Sequence, residues 1–280
     1  IGKIELQYEL LDNLKITSRL GYSSIWQQSK GFSPLQFYGV GHNRTNANAD
    51  LTARTEDDHN RVSETKNNWF NYTYELFGNY DFSIDNEHNF NVFAGFTIGK
   101  STYNNLSGSN VDIPFNSWTY ADLSSASGGI SEQTTSSAQS VSRSVSLMGR
   151  VEYDFNEKYL ASLTVRRDGS TSFGKNNKFA IFPSASVGSV ASNEDFFNSS
   201  FVDFLKVRAS FGTVGNDNAS PQFGTISTFP KYTFDGKIVN GSTLLGIPNN
   251  DVSWENQIQT NVGLDLRMFD SKLSLTADYF

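Results

Sequence analysis

Apolar and polar residues alternate with a period of two at the start of the chain. The first alternating segment carries Ile4, Leu6, Tyr8 and Leu10 on one side. A turn at 12–13 follows, and the same alternation resumes at Leu14. Because successive side chains of a β-strand point to opposite faces, this pattern predicts a hairpin with one apolar face.

The same pattern recurs along the chain and gives about ten strands. Most are long enough for the roughly 9 to 11 residues that a tilted membrane strand needs. Short turns, such as 85–87 and 156–158, alternate with long polar connections at about 23–68, 100–143, 168–178 and 214–255. A transmembrane β-barrel has this arrangement, with short periplasmic turns and long outer loops. The link at about 191–203 is longer than a normal turn.

Charged and polar residues lie opposite the apolar positions and predict the wall of a water-filled lumen. They are Arg150, Glu152, Asp154, Arg166, Lys206, Arg208, Asp265 and Asp278. The same face would also suit the solvent side of a half-buried soluble sheet, but the long strands and unequal connections favour lipid. We therefore predict an all-β, antiparallel transmembrane β-barrel. Both ends of the sequence fall within strands, so we expect about ten strands of a larger barrel, because a sheet in hydrocarbon must close.

Composition narrows the possible classes of protein. Aromatic residues make up 14% of the chain, with Phe 23 and Tyr 12, and the mean hydropathy is -0.42. No run approaches the roughly 18 consecutive apolar residues of a spanning helix, which excludes a helical membrane protein. The net charge of -7 argues against a nucleic-acid partner. The absence of cysteine excludes disulfides, thiolate metal sites and cysteine nucleophiles.

The sequence offers few candidate residues for metal binding or catalysis. His42, His59 and His88 lack the spacing of metal ligands, so we expect no metal site. The acidic run 56–58 is better explained as a solvated loop than as a cation site. No G-x-S-x-G or comparable nucleophile setting is present, so we expect neither an enzyme nor a cofactor.

Aromatic residues in the long polar connections are the candidate ligand contacts. They are Trp26, Phe32, Trp118 and Tyr120. Rings at such positions stack on sugars or pack a lid. The alternative, which we favour, is that they belong to an interfacial aromatic girdle or fold their loop onto itself.

Two long segments carry a family resemblance. Residues 151–216 read VEYDFNEKYLASLTVRRDGSTSFGKNNKFAIFPSASVGSVASNEDFFNSSFVDFLKVRASFGTVGN, and residues 249–280 read NNDVSWENQIQTNVGLDLRMFDSKLSLTADYF. In order and spacing, both resemble signature segments of the SusC/RagA family of TonB-linked outer-membrane transporters. The resemblance covers about 145–280. The sequence departs from the family pattern at 188–191, where an aromatic and a basic residue usually follow the glycine.

The resemblance implies a barrel of about 22 strands, occluded by an N-terminal plug that we do not expect within these residues. It implies energy-coupled import of glycans or peptides across the bacterial outer membrane. The implied partners are the TonB complex, a SusD-like surface lipoprotein, and the lipid and lipopolysaccharide of that membrane. Two alternatives stay open at this point, namely a passive porin or adhesin-like barrel and a soluble β-sandwich binding module.

Overall fold

The computed structural model describes residues 1–35, 59–218, 226–227, 231–241, 243–244, 249 and 251–280. Within these residues the chain is almost entirely β-strand, and short 3-10 turns lie at Trp118–Tyr120, Leu123–Ser125 and Ala191–Asn193. The strands are β1 (Gly2–Leu11), β2 (Leu14–Ser33), β3 (Arg61–Ile84), β4 (His88–Val111), β5 (Thr134–Phe155), β6 (Tyr159–Ser170), β7 (Phe179–Val190), β8 (Val202–Asn216), β9 (Ile226–Ser227), β10 (Lys231–Phe234), β11 (Lys237–Asn240), β12 (Thr243–Leu244), β13 (Glu255–Met268) and β14 (Leu273–Tyr279).

One ten-stranded sheet organises the fold, in the order β1-β2-β3-β4-β5-β6-β7-β8-β13-β14. Each long strand therefore pairs with the next long strand in sequence, as in an up-and-down meander. The two small pairs, β10 with β11 and β12 with β9, lie in the connection between β8 and β13. The prediction of an all-β, antiparallel fold with about ten long strands is confirmed.

The short turns follow from residues that tolerate a left-handed backbone. Asp85 and Asn86 have φ values of 55° and 57°, and Asn156 and Glu157 have 49° and 55°. Two successive residues with positive φ give the tight hairpin turn whose twist matches that of paired strands. In the second turn, the Asp154 carboxylate also accepts a hydrogen bond from the Glu157 N–H at 2.9 Å.

The strands are longer than the alternation predicted. Strand β2 continues to Ser33 and β3 begins at Arg61, so the predicted loop bounds of about 23–68 are wrong. Those of about 100–143 are also wrong, because β4 reaches Val111 and β5 begins at Thr134. These extensions carry polar residues on both faces, which removes the period of two. The other two connections run over 171–178 and over 217–254, which contains β9 to β12.

The chain divides into two compact units. The first, called the loop unit, comprises Ile1, Tyr22–Asn71 and Ser101–Val141. The second, called the wall unit, comprises Gly2–Gly21, Tyr72–Lys100 and Ser142–Phe280.

The apolar face of the wall unit is exposed. Strand register places Val151, Leu163, Ala185 and Phe211 side by side on this face. Leu163 and Phe211 keep 55% and 50% of their surface accessible. An ordinary soluble sheet would bury such a face, since exposed apolar patches of this extent mark a contact with lipid or another protein.

Within the described residues, no helix has the length and apolar character needed to cross a membrane.

Candidate functional site

A row of polar side chains crosses the wall unit on the side opposite the apolar face. Strand register aligns Glu152, Ser162, Ser186, Ser210 and Asn261. The Ser162 and Ser186 hydroxyl oxygens are 2.8 Å apart. The three serine side chains are short, and all five residues help to line an open cavity of about 1020 Å³. We call this side of the wall unit the polar face.

Arg208 forms an ion-pair cluster on the polar face. Its guanidinium lies 3.1 Å from an Asp265 carboxylate oxygen and 2.7 Å from one of Asp278. Thr276 donates a further hydrogen bond to Asp265 at 3.1 Å. The guanidinium passes over Gly263, where a Cβ atom would lie 2.5 Å from Arg208 Cζ. The cluster thus joins three neighbouring strands, β8, β13 and β14.

A second cluster on the polar face combines arginines with aromatic rings. The Arg150 guanidinium lies 5.7 Å from the Phe93 ring centre and 3.3 Å from Glu152. The Phe93 and Phe77 rings are 5.7 Å apart, and Arg19 lies 5.4 Å from Phe77. The sequence did not predict these two phenylalanines on the polar face, because the alternation places their neighbours, Leu76 and Val92, on the apolar face. The doublets Leu-Phe at 76–77 and Val-Phe at 92–93 were the available signal.

The other predicted wall residues lie on the same face. Arg166 contacts the Asp168 carboxylate at 2.7 Å and donates to the Ser146 hydroxyl at 3.1 Å. Lys206 and Asp154 line the cavity together with Glu152. That this face borders a water-filled lumen stays a prediction.

The loop unit contains a cluster of aromatic and amide side chains that sequence analysis did not single out. The Trp69 and Tyr103 rings lie 5.1 Å apart. The Asn67 side-chain oxygen accepts hydrogen bonds from the Tyr103 hydroxyl at 3.0 Å and from the Asn105 amide at 2.7 Å. Asn67 in turn donates to Gln27 at 3.2 Å. We call these residues the aromatic–amide cluster.

This cluster has the chemistry of a site for a neutral polar ligand. Aromatic faces stack on apolar faces of a ligand, while carboxamides both donate and accept hydrogen bonds. Trp69 and Tyr103 are only partly buried. The surrounding stretch is polar on both strand faces, so no periodic pattern distinguished these residues from a loop.

The four predicted aromatic contacts do not form a single cluster. Trp26 lies on β2, is 78% exposed, and donates to the Ser24 hydroxyl at 2.9 Å. Phe32 packs against the core of the loop unit, which consists of Val62, Ile113 and Ala121. Trp118 and Tyr120 share one 3-10 turn and are 56% and 53% exposed.

The two resemblance segments meet in the wall unit. Phe173 is fully buried, and its ring lies 4.9 Å from that of Trp254. The Asn177 side chain donates to the backbone oxygens of Asp251 and Val252 at 3.0 and 3.4 Å. These signature residues therefore fix the connection 171–178 against the start of β13.

Residues 188–191, where the sequence departs from the family pattern, are followed by a turn that Lys158 holds in place. Lys158 lies 3.5 Å from Glu194 and 3.3 Å from Asp195, and its backbone oxygen accepts the Val190 N–H at 2.8 Å. The hydrogen bond with Asp195 raises the pKa of Lys158 above its usual value. These contacts hold this end of β7 against the turn at 156–158.

Among the described residues, no group of three or more His, Cys, Asp or Glu side chains is placed to hold a metal ion. His59 Nδ1 lies 2.9 Å from Asp112, and His88 Nδ1 lies 2.8 Å from the Tyr153 hydroxyl. His42 and the acidic run 56–58 fall outside the described residues.

Long antiparallel strands in one sheet, with an exposed apolar face opposite a charged one, define a segment of a transmembrane β-barrel wall. Residues 2–280 match the family described as TonB dependent receptor-like, beta-barrel. The chain belongs to this family.

Individual relatives agree with this assignment. TonB-dependent receptor P3 of Formosa agariphila is 32% identical over 98% of this chain and 26% of its own length. TonB-dependent receptor SusC of Bacteroides thetaiotaomicron is 28% identical over 46% of this chain and 14% of its own length. The solved RagAB peptide transporter shares the fold, with a TM-score of 0.83 and 22% identity over 99% of this chain and 29% of that chain. The resemblance to the SusC/RagA family is confirmed, and the chain spans about a quarter of the P3 receptor.

Proposed function

We propose that this chain forms part of the wall and the outer loops of a TonB-dependent importer in the bacterial outer membrane. The exposed apolar face of the wall unit carries this proposal. Its residues alternate with a polar face along the same strands, as lipid on one side and water on the other require. The import itself, as the function of the whole protein, is supported by the family.

The substrates we propose are glycans or peptides, taken up by transport and not by an enzymatic reaction. Energy would come from the TonB complex through a plug encoded outside these residues. A SusD-like surface lipoprotein is the proposed partner on the outside, and lipid with lipopolysaccharide surrounds the barrel. The RagAB peptide transporter supports the peptide alternative by its fold alone.

Ligand contacts are proposed at two places. The aromatic–amide cluster offers Trp69 and Tyr103 for stacking and Asn67 and Asn105 for hydrogen bonds. The polar face offers a charged and hydroxyl-bearing surface beside its open cavity. Because its arginines are paired with carboxylates, this face presents little uncompensated positive charge to a passing solute.

Growth and uptake by a deletion strain test the proposal. The strain should lose growth on one class of glycan or peptide, and the full-length gene should restore it. Uptake in the complemented strain should stop when a protonophore collapses the energy source of TonB. Uptake that persists with the protonophore would favour the passive porin, and unchanged growth on all tested nutrients would contradict import.

Behaviour in detergent distinguishes a transmembrane barrel from a soluble β-sandwich. A transmembrane barrel refolds into detergent micelles and migrates differently on gels before and after heating. A full-length protein that is monodisperse without detergent and lacks heat-modifiable migration would contradict a transmembrane barrel.

A further inference from the structure

One side of β2 in the loop unit is defined by contacts with β3. Asn71 donates to the Ser23 hydroxyl at 3.3 Å, and Asn67 donates to Gln27 at 3.2 Å. The spacing is four residues on both strands, so the pairing runs without a bulge between these contacts. Odd-numbered residues of β2 therefore point to the side of the aromatic–amide cluster, and even-numbered residues point away from it.

The connection 112–133, called the collar loop, covers the even-numbered side of β2 beyond Gln28. Lys30 lies 2.6 Å from the Asp122 carboxylate and 5.8 Å from the Trp118 ring centre. Phe32 packs against the core that contains Ile113 of the collar loop. The collar loop thus folds back over the strand face that points away from the aromatic–amide cluster.

Before Gln28, the same side of β2 is exposed. Tyr22 and Trp26 have even numbers and are 49% and 78% exposed. Tyrosine and tryptophan are enriched where a membrane barrel passes from hydrocarbon to headgroups. The collar loop therefore begins, along β2, just beyond these two exposed aromatic side chains.

The collar loop presents aromatic rings instead of charges. Phe115, Trp118 and Tyr120 are 60%, 56% and 53% exposed. Between positions 113 and 131 the only charged residue is Asp122, and Lys30 pairs with it. Such a surface suits the headgroup boundary of a bilayer, where aromatic rings with a polar edge are favoured.

The collar loop is also held in place at its start. The Asn60 amide donates to the Ile113 backbone oxygen at 3.0 Å, and the Ile113 N–H donates to the Asn60 side-chain oxygen at 2.6 Å. Asn60 is itself buried. This pairing fixes the loop against the first residues before β3.

We infer that the collar loop rests on the outer leaflet of the membrane, with Phe115, Trp118 and Tyr120 in contact with lipid. The partner is a lipid surface and not a transported solute, because these rings continue the side of β2 that carries Tyr22 and Trp26. Trp69 and Tyr103 lie with the opposite, odd-numbered side. The inference rests on the membrane setting of the proposed function.

Lipid quenching of a fluorophore at single positions tests the inference. The chain contains no cysteine, so Trp118→Cys and Tyr120→Cys of the full-length protein, freed of other cysteines, give unique labelling sites. The labelled proteins are placed in phosphatidylcholine nanodiscs that contain doxyl-labelled lipid. We expect quenching at both positions to reach at least half of that at Trp26→Cys.

Two control positions separate the possible failures. Ser29→Cys, on the odd-numbered side of β2, should show little quenching by lipid. Strong quenching at Trp26→Cys with none at 118 and 120 would overturn the collar-loop inference alone. Absence of quenching at Trp26→Cys as well would contradict the membrane setting itself. Quenching at 118 and 120 no greater than at Ser29→Cys, together with protection of these labels by the nutrient identified with the deletion strain, would overturn the inference and assign the rings to ligand binding.

Discussion

Gly95 is the position where one added methyl group tests the packing of the polar face. A Cβ atom there would lie 2.7 Å from Phe77 Cβ and 3.1 Å from the Leu76 backbone oxygen. Backbone cannot move aside easily, so Gly95→Ala should destabilise the folded barrel by about 1–3 kcal/mol. The measurement is the temperature at which the heat-modifiable gel band of the full-length protein shifts.

The matched control is Gly149→Ala on β5. An added Cβ atom at Gly149 meets nothing within 4 Å. This variant should unfold at the wild-type temperature or slightly above it. Equal loss of stability in both variants would show that Phe77 does not pack against Gly95 as described.

Trp69 is the residue whose loss should affect ligand binding most. Its ring packs against that of Tyr103 at a tilt of 31° and stays partly exposed, so Trp69→Ala removes an aromatic contact surface without emptying a buried core. We expect affinity for the nutrient identified with the deletion strain to fall about tenfold, which corresponds to about 1.4 kcal/mol. Isothermal titration calorimetry of the detergent-purified importer measures it.

Trp26→Ala provides the comparison for Trp69→Ala. Trp26 also lies in the loop unit but points to the even-numbered side of β2, and it is 78% exposed. Its loss should leave the affinity unchanged. If the two variants lose affinity equally, the aromatic–amide cluster is not the ligand contact.

Among the connecting elements, the segment 171–178 depends on one buried ring. Phe173 has no exposed surface and packs against Trp254. Phe173→Ala should lower the free energy of local unfolding of this segment by about 3–5 kcal/mol, because it leaves a cavity under the connection. The segment contains Lys175 and Lys178, so trypsin should cleave it faster in this variant than in wild type.

Phe196→Ala controls for the loss of a phenylalanine as such. Phe196 is 80% exposed in the connection between β7 and β8. Its removal should not change cleavage at 171–178. Unchanged trypsin sensitivity in Phe173→Ala would mean that Asn177 and the backbone alone hold the segment.

The elements that sequence predicted well are those with a different solvent on each face. Val151 and Leu163 alternate with Glu152 and Ser162, and this contrast indicated their strands directly. The ends of β2 to β5 lack that contrast, and their paired backbones were mistaken for loops. The polar wall residues were predicted for the same reason, whereas Trp69 and Tyr103 depend on strand pairing that no local pattern encodes.

For the whole molecule, the central physical claim is that the apolar face meets hydrocarbon. Leu163 lies between Val151 and Ala185 in register and is 55% exposed. If lipid covers this face, Leu163→Arg buries a charge in hydrocarbon and should cost about 2–4 kcal/mol near the bilayer midplane. If water covers it, the same exposed substitution should change stability by less than about 0.5 kcal/mol.

Ser162→Arg is the neighbouring control, because Ser162 points to the polar face and lies opposite Glu152 and Ser186 in register. Both full-length variants are refolded from urea into phospholipid vesicles, and the folded fraction is read from heat-modifiable migration. We expect Ser162→Arg to fold like wild type and Leu163→Arg to require a lower urea concentration to unfold. Because the two positions are adjacent on one strand, the main difference between them is the medium on each face. Equal tolerance of arginine at both positions would therefore place water on both faces and exclude a transmembrane wall.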